Sequence, residues 1–379
     1  MERYAVRGRL LLGGQLEPGA VVVEGGRIAA ILRAPRDGDL PGVVMDAGIV
    51  APGLVDLQVN GGFGVEVGED SLVLHQLAAR LPETGVTAFL PTVITSPPAA
   101  YRQVYDAFDA ARGLSGAFPV GLHLEGPFLS PVRSGAHRRD LIEGAVPGLL
   151  DTLLQGDALQ MMTLAPEVPG AAERIRRLRD RGVIVSLGHT DASCEEFFAG
   201  VDAGATMATH LYNAMSPFLH RAPGAIGAAL TDDRVTVGLI VDGVHAHPAS
   251  VGLALRAKGV ERVALVTDAM AAAGMVPGTY ALGGRRVLVD ETSARLEDGT
   301  LAGSILTLDQ AVRNVVRWTG TSPADALRMA SEVPARLLGL EKKGRLVVGS
   351  DADLALFDTD LTVQTTIVNG QPAYRREEP

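Results

Sequence analysis

The chain has few of the residues that staple small domains or grip polyanions. Cys194 is the only cysteine among 379 residues, so no internal disulfide can form and a reducing compartment is suitable. Lysine occurs only as Lys258, Lys342 and Lys343, there is no long basic run, and the formal net charge is -10. That balance argues against a nucleic-acid partner. It does not exclude an anionic small molecule, because a local arginine and a few backbone N–H groups can hold one phosphate. No apolar run approaches the roughly 18 residues that a membrane span needs. Leu10-Leu11-Leu12 is cut short by Gly13-Gly14 and does not read as a signal peptide. The expected setting is soluble and cytoplasmic, with no membrane partner. What the chain does have is a 47% hydrophobic composition with 21% charged residues, enough to bury a large core and too apolar for disorder.

Length and texture point to a barrel of roughly 250–300 residues plus a small module. Strand-like runs fill both ends: Tyr4 to Leu12, Ala20 to Val23, Arg27 to Leu32 and Val43 to Ala47, then Ala352 to Phe357 and Val363 to Val368 with an Asn369-Gly370 turn. Residues 1–50 plus 345–379 are therefore expected to pair as a small β-sandwich. Between them, across 51–344, short apolar runs alternate with helix-like segments such as Ser71 to Arg80 and Ala171 to Arg181. The runs are Gly53 to Val59, Val86 to Thr92, Pro119 to Leu124, Met161 to Leu164, Val183 to Leu187, Thr206 to Ala208, Val235 to Val241 and Arg262 to Val266. About eight such repeats favour an α/β fold of the (β/α)8 type over an open sheet. Ser130 to Gly144 reads as a loop, and a β-hairpin insertion is expected around 280–301; either is placed to cover the mouth as a lid.

Polar residues gather where those runs end, which in such barrels is the face that builds active sites. Glu125, His189 and His210 each follow a short apolar run. A buried carboxylate there is costly unless paired. One Glu and two His with a fourth position left for water match a catalytic zinc site. Gln58 and Asn60 end the first run and are poor zinc ligands, and no lysine ends any run, so one metal is expected rather than two. Asp268 ends the eighth run. It is placed to take a proton from the attacking water; the alternative is a carboxylate that orients a metal-bound histidine. His75 lies in a helical stretch and reads as a surface residue.

At these residues the chain resembles a known family. His123-Leu124-Glu125-Gly126-Pro127-Phe128, Gly188-His189-Thr190, Thr209-His210-Leu211-Tyr212-Asn213-Ala214-Met215, Asp242-Gly243-Val244-His245 and Thr267-Asp268-Ala269-Met270 occur in this order. The ordered set is similar to the N-acetylglucosamine-6-phosphate deacetylases of the amidohydrolase superfamily, from about Pro52 to Thr307, and the β-rich ends also match. The resemblance implies hydrolysis of N-acetyl-D-glucosamine 6-phosphate to D-glucosamine 6-phosphate and acetate, a step of amino-sugar catabolism and cell-wall sugar recycling. It implies that Glu125, His189 and His210 hold one divalent ion per subunit, Zn2+ or another, and that Asp268 is the acid/base. His137 would polarise the acetamide carbonyl, beside Ala136. His245 would hold a sugar hydroxyl, and Leu301, Ala302 and Gly303 would pack on the sugar. Asn213 and Ala214 would hold the phosphate with Arg221, which in this family reaches into a neighbouring subunit's site, so a homodimer is implied. Read as plain sequence, Arg221 is also consistent with a surface salt bridge and His137 with a histidine ordering its own turn. A deacetylase for the galactosamine epimer is the nearest alternative. A non-catalytic barrel that only binds is the distant one, since such relatives typically lose metal ligands that this chain keeps.

Overall fold

A computed structural model of the chain describes residues 3–68, 70–111, 113–143 and 148–377. Eight parallel strands pair in chain order: Leu54–Val59, Val86–Ile94, Leu122–Glu125, Leu159–Leu164, Ile184–Leu187, Met207–Ala208, Thr236–Leu239 and Val263–Leu265. The first and last meet through one parallel bridge, Val59 to Ala269, so the barrel is nearly closed. The Asn60 N–H donates to Ala269 O at 2.8 Å across the same seam. The Thr267 hydroxyl donates to the Asp56 carboxylate at 2.6 Å just below it. All nine residues of Val86–Ile94 are buried, as expected for a strand with side chains in the barrel on one face and helices on the other. Asp70 caps the first outer helix, Ser71–Arg80, by accepting from Leu72 N. Ser193 and Glu196 form a capping box that starts Cys194–Ala203 soon after His189.

The two chain ends share one seven-stranded sheet. Its order is Gln371–Arg375, Val363–Val368, Leu354–Phe357, Val44–Pro52, Arg3–Leu12, Gln15–Glu24, Arg27–Arg33. Alternation assigns its two faces: Ile49, Ala51, Ala355 and Phe357 join the barrel's hydrophobic cluster, while Val50, Leu354 and Leu356 join a second cluster with Tyr4, Val21 and Ile28. Residues 1–2 and 378–379 of the terminal segments lie outside the described residues, as does Gly144 of the expected loop.

Several boundaries differ from expectation. The third run breaks at Val120-Gly121: Phe118–Pro119 pairs with the second strand, and Leu122–Glu125 resumes between the second and fourth. Glu125 therefore closes its strand rather than following it. The stretch expected as a loop from Ser130 contains a turn of 3-10 helix, Pro131–Arg133, and a short helix, Arg139–Glu143. The insertion after the eighth strand is a three-stranded antiparallel sheet, Gly278–Leu282, Arg285–Val289 and Ala294–Leu296, with its own apolar cluster.

Candidate active site

Three site residues sit where the backbone breaks from its strand. His189, His210 and Asp268 have φ values of 47°, 28° and 51°, in the left-handed region. For a side chain with a Cβ this costs on the order of 1–2 kcal/mol. The neighbouring ladder holds the strained turns in place. Thr190 N–H donates to Ala214 O at 3.0 Å, Leu211 N–H to Gly238 O at 2.8 Å and Ser304 N–H to Asp268 O at 2.8 Å. Gly188 allows the fifth and sixth strands to approach here: a Cβ on it would fall 2.7 Å from Thr209 Cβ. Gly188→Ala is expected to push these strands apart, destabilise the fold by about 1–3 kcal/mol and loosen metal binding. Thermal denaturation with metal titration checks this, and wild-type values in both would refute it.

Glu125, His189 and His210 converge, with one possible ligand atom from each lying within 4.8 Å of the others. The two Nε2 atoms are 3.1 Å apart, and Glu125 Oε1 is 3.3 Å from His189 Nε2 and 3.1 Å from His210 Nε2. His189 Nδ1–H donates to Arg133 O at 2.8 Å, which leaves a lone pair on Nε2 facing inward. Arg133 is in turn tied to Asp191 at 2.7 Å. Two ring nitrogens this close cannot both point hydrogens at each other, whereas one cation satisfies both. The local field agrees. Burial disfavours charge on His210, yet Glu125 and Asp268 outweigh it and raise its pKa. Burial likewise opposes charge on Glu125, and the surrounding imidazoles of His137, His189 and His210 hold it well below the usual carboxylate range. These residues fit a divalent ion.

Gln58 and Asn60 act as donors to the carboxylates. The Gln58 amide nitrogen donates to Glu125 Oε1 and to Asp268 Oδ1, 3.0 Å each, and so bridges the two carboxylates. Asn60 Nδ2 donates to the same Asp268 oxygen at 2.6 Å. Asp268 lies three residues past the end of its strand. Burial, then the Glu125 charge, pushes its pKa up to about 6.

His137 is held on its other nitrogen. Thr95 N–H donates to His137 Nδ1 at 3.2 Å, and because a backbone N–H only donates, the neutral ring carries its hydrogen on Nε2. Burial lowers this histidine's pKa to about 4, so the ring is neutral. Nε2–H points at the site, 3.5 Å from Glu125 Oε2.

The sequence reading missed Thr95 and a buried polar layer beneath the ligands. His123 Nδ1–H donates to Leu57 O at 3.2 Å, leaving Nε2 to accept from the Thr163 hydroxyl at 2.8 Å. Thr209 then donates to Thr163 at 2.8 Å and Ser186 to Thr209 at 2.6 Å. The period-2 rule was the available signal, since His123 shares a face with Glu125.

A cavity of about 340 Å³ opens over these groups. Glu125, His137, His189, His210 and Asp268 line it, with Ala136, Asn213, Ala214, His245, Leu301 and Gly303 around them. His245 Nδ1–H donates to Asp242 Oδ2 at 2.6 Å, which fixes the ring. Asn213 places its amide hydrogens on the carbonyls of His210 and Leu211, 3.2 Å each. Two expected residues are not at the wall. Ala302 is fully buried in the cluster under the inserted sheet. Arg221 is exposed and outside the cavity, beside Phe218 and Leu219, each 56% exposed. His75 is exposed on its helix.

A mouth of imidazoles and carboxylates on a nearly closed parallel barrel defines a metal-dependent hydrolase. The chain belongs to the amidohydrolase family, whose model matches residues 49–373. Among its relatives is the N-acetylglucosamine-6-phosphate deacetylase of Bacillus subtilis (strain 168), 41% identical over 87% of this chain and 86% of that protein. The N-acetylgalactosamine-6-phosphate deacetylase of Escherichia coli O157:H7 is 40% identical over 98% of this chain and 99% of that one. Of solved structures, an N-acetyl-D-glucosamine-6-phosphate deacetylase mutant from Mycobacterium smegmatis, in complex with N-acetyl-D-glucosamine 6-phosphate, superposes with a TM-score of 0.92. It is 35% identical and the match covers 98% of this chain and 100% of that one.

Proposed function

We infer that this chain hydrolyses the acetamide of N-acetyl-D-glucosamine 6-phosphate, releasing acetate and D-glucosamine 6-phosphate. The observation that carries the reading is the placement of a buried base, Asp268, and a neutral donor, His137 Nε2–H, around one three-ligand group in a single cavity. The ion we assign is one Zn2+ per subunit, since two imidazoles and a carboxylate are a frequent catalytic zinc set. Such an ion, when bound, supplies Lewis-acid polarisation and a more acidic water. Asp268 takes the proton of the attacking water and later returns it to the departing amine. His137 donates to the carbonyl oxygen as negative charge develops there. His245 faces a sugar hydroxyl, and Leu301 and Gly303 flank the ring.

The phosphate end lies at Asn213 and Ala214, and we assign its countercharge to Arg221 of a second subunit in a homodimer. Exposed Phe218 and Leu219 beside an outward-pointing guanidinium support that assignment. A charge-assisted hydrogen bond is worth about 1.5–3 kcal/mol. Arg221→Ala should therefore cost about tenfold to hundredfold in kcat/KM on the phosphorylated sugar and leave free N-acetylglucosamine almost unchanged; equal losses would remove the phosphate role. Mixing Arg221→Ala with Asp268→Asn subunits should recover activity, because each mixed dimer holds one complete site. A chain with one cysteine and no described helix long and apolar enough to cross a membrane suits the cytoplasm, where we place it.

The decisive experiment is acetate release from N-acetylglucosamine 6-phosphate with and without chelator. Its C4 epimer, N-acetylgalactosamine 6-phosphate, should run beside it, because the two relatives with the two specificities are almost equally similar to this chain. Faster turnover of the galactosamine substrate would transfer the assignment to that sugar. Turnover of neither by metal-loaded protein would refute the reading.

A further inference from the structure

The cavity wall opposite the phosphate end is apolar, and neither its shape nor its composition has a role in the chemistry above. Ile94 ends the second strand, and Asn213 and Ala214 follow the sixth. In a ring of eight strands these positions face each other across the mouth. Ile94 is 8% exposed and Leu282, from the first strand of the inserted sheet, is 3% exposed; both line the cavity and share one apolar cluster.

This wall is locked. Gly283, at φ 57°, lies so close that a Cβ on it would fall 2.5 Å from Ile94 Cδ1. The Gly283 N–H donates to Glu66 Oε1 at 2.6 Å, and Arg285 Nη1 donates to Ala136 O at 3.3 Å. The turn of the insertion is thus tied to the loops after the first and third strands and pressed on the end of the second. Ile94 also precedes Thr95, whose N–H fixes His137.

On the deacetylase reading, the acyl carbon has three substituents in one plane. Its oxygen faces His137. Its nitrogen leads through the sugar towards His245 and Asn213. The third substituent, a methyl in the acetyl group, needs an apolar part of the same wall, and Ile94 with Leu282 of the insertion supplies one. We propose that Ile94 and Leu282 form the wall that restricts this enzyme to short acyl groups, so that they set acyl-chain length rather than sugar identity. This inference rests on the deacetylase reading.

The test compares kcat/KM for the N-acetyl, N-propionyl and N-butyryl derivatives of glucosamine 6-phosphate, followed as free amine, on metal-loaded wild type, Ile94→Ala and Leu282→Ala. One methylene in an apolar pocket discriminates by about 10–200-fold. Wild type should lose that much on going from acetyl to propionyl, and each variant should recover about tenfold or more of the propionyl-to-acetyl ratio. A fall on all acyl groups alike, with the ratio unchanged, would mean that the wall only positions Thr95 and His137, and would overturn the proposal. If Ile94→Ala fails to fold, Leu282→Ala, outside the barrel strands, and the milder Ile94→Val give the same readout. Wild type active on acetyl but equally active on butyryl sinks this inference alone. Wild type inactive on every member sinks the deacetylase reading and this inference with it.

Discussion

Asp268→Asn is expected to retain its metal and lose about 10²–10⁴ in kcat, the range that a positioned acid/base supplies. The substitution is nearly isosteric, and its local hydrogen bonds explain why the fold should tolerate it. Gln58 and Asn60 both donate to Asp268 Oδ1. An asparagine there turns its carbonyl oxygen to those donors and its NH2 to the cavity, where the reaction needs a lone pair. Nothing buried is left unsatisfied, and nothing basic remains. The pH dependence follows the same group. Burial and the Glu125 charge raise the Asp268 pKa to about 6. A base must be ionised to work, so kcat/KM should fall as pH drops through the pKa. A bound cation pulls the carboxyl lower, so this acid limb should lie at or below about pH 6. The residual rate of the variant should lack the limb. Turnover within tenfold of wild type, or an unchanged limb in the variant, would move the acid/base role to another group. Loss of metal would make Asp268 a ligand.

The ligands were legible in the sequence because a parallel barrel sends polar side chains to one end of its strands. Glu125, His189 and His210 each close or follow a buried run, and no packing argument explains a charged or polar residue there. Residues whose chemistry arises only from long-range contact were not legible. Gln58 bridges carboxylates 67 and 210 residues away. Thr95 meets His137 through its backbone N–H and its hydroxyl, 42 residues away, and a threonine at a strand end gives no sign of such a partner in the sequence. The hydroxyls of Thr163, Ser186 and Thr209 look in sequence like ordinary strand residues. The strand boundaries failed at Val120-Gly121 for a related reason. The apolar run continues through that pair, but the hydrogen-bonded ladder does not.

Glu125→Gln should lose both metal and turnover, and the contrast with Asp268→Asn separates ligand from base. The two carboxylates share the Gln58 amide as donor and differ in what else faces them. Asp268 is completed by a second neutral amide, from Asn60. Glu125 Oε1 instead faces His189 Nε2 at 3.3 Å and His210 Nε2 at 3.1 Å, with His137 Nε2 near its other oxygen. It is the only anionic member of the three-residue group. Glutamine keeps the size and removes the charge, leaving two neutral imidazoles to hold a divalent ion. Its NH2 must also turn towards Gln58 and the histidines on one side or towards His137 on the other, and donor meets donor on at least one of them. Losing even a partner that only orients a ligand costs about 10–100-fold in metal affinity, so losing the anionic ligand itself should cost at least that. After dialysis the variant should hold far less zinc than wild type. Its acetate release should stay depressed at metal concentrations that saturate wild type. A variant that keeps full metal and turns over normally would mean that the ion is held elsewhere. One that keeps full metal but is inactive would give Glu125 a role in the reaction instead of in binding. Asp268→Asn thus separates metal from turnover, and Glu125→Gln removes both together.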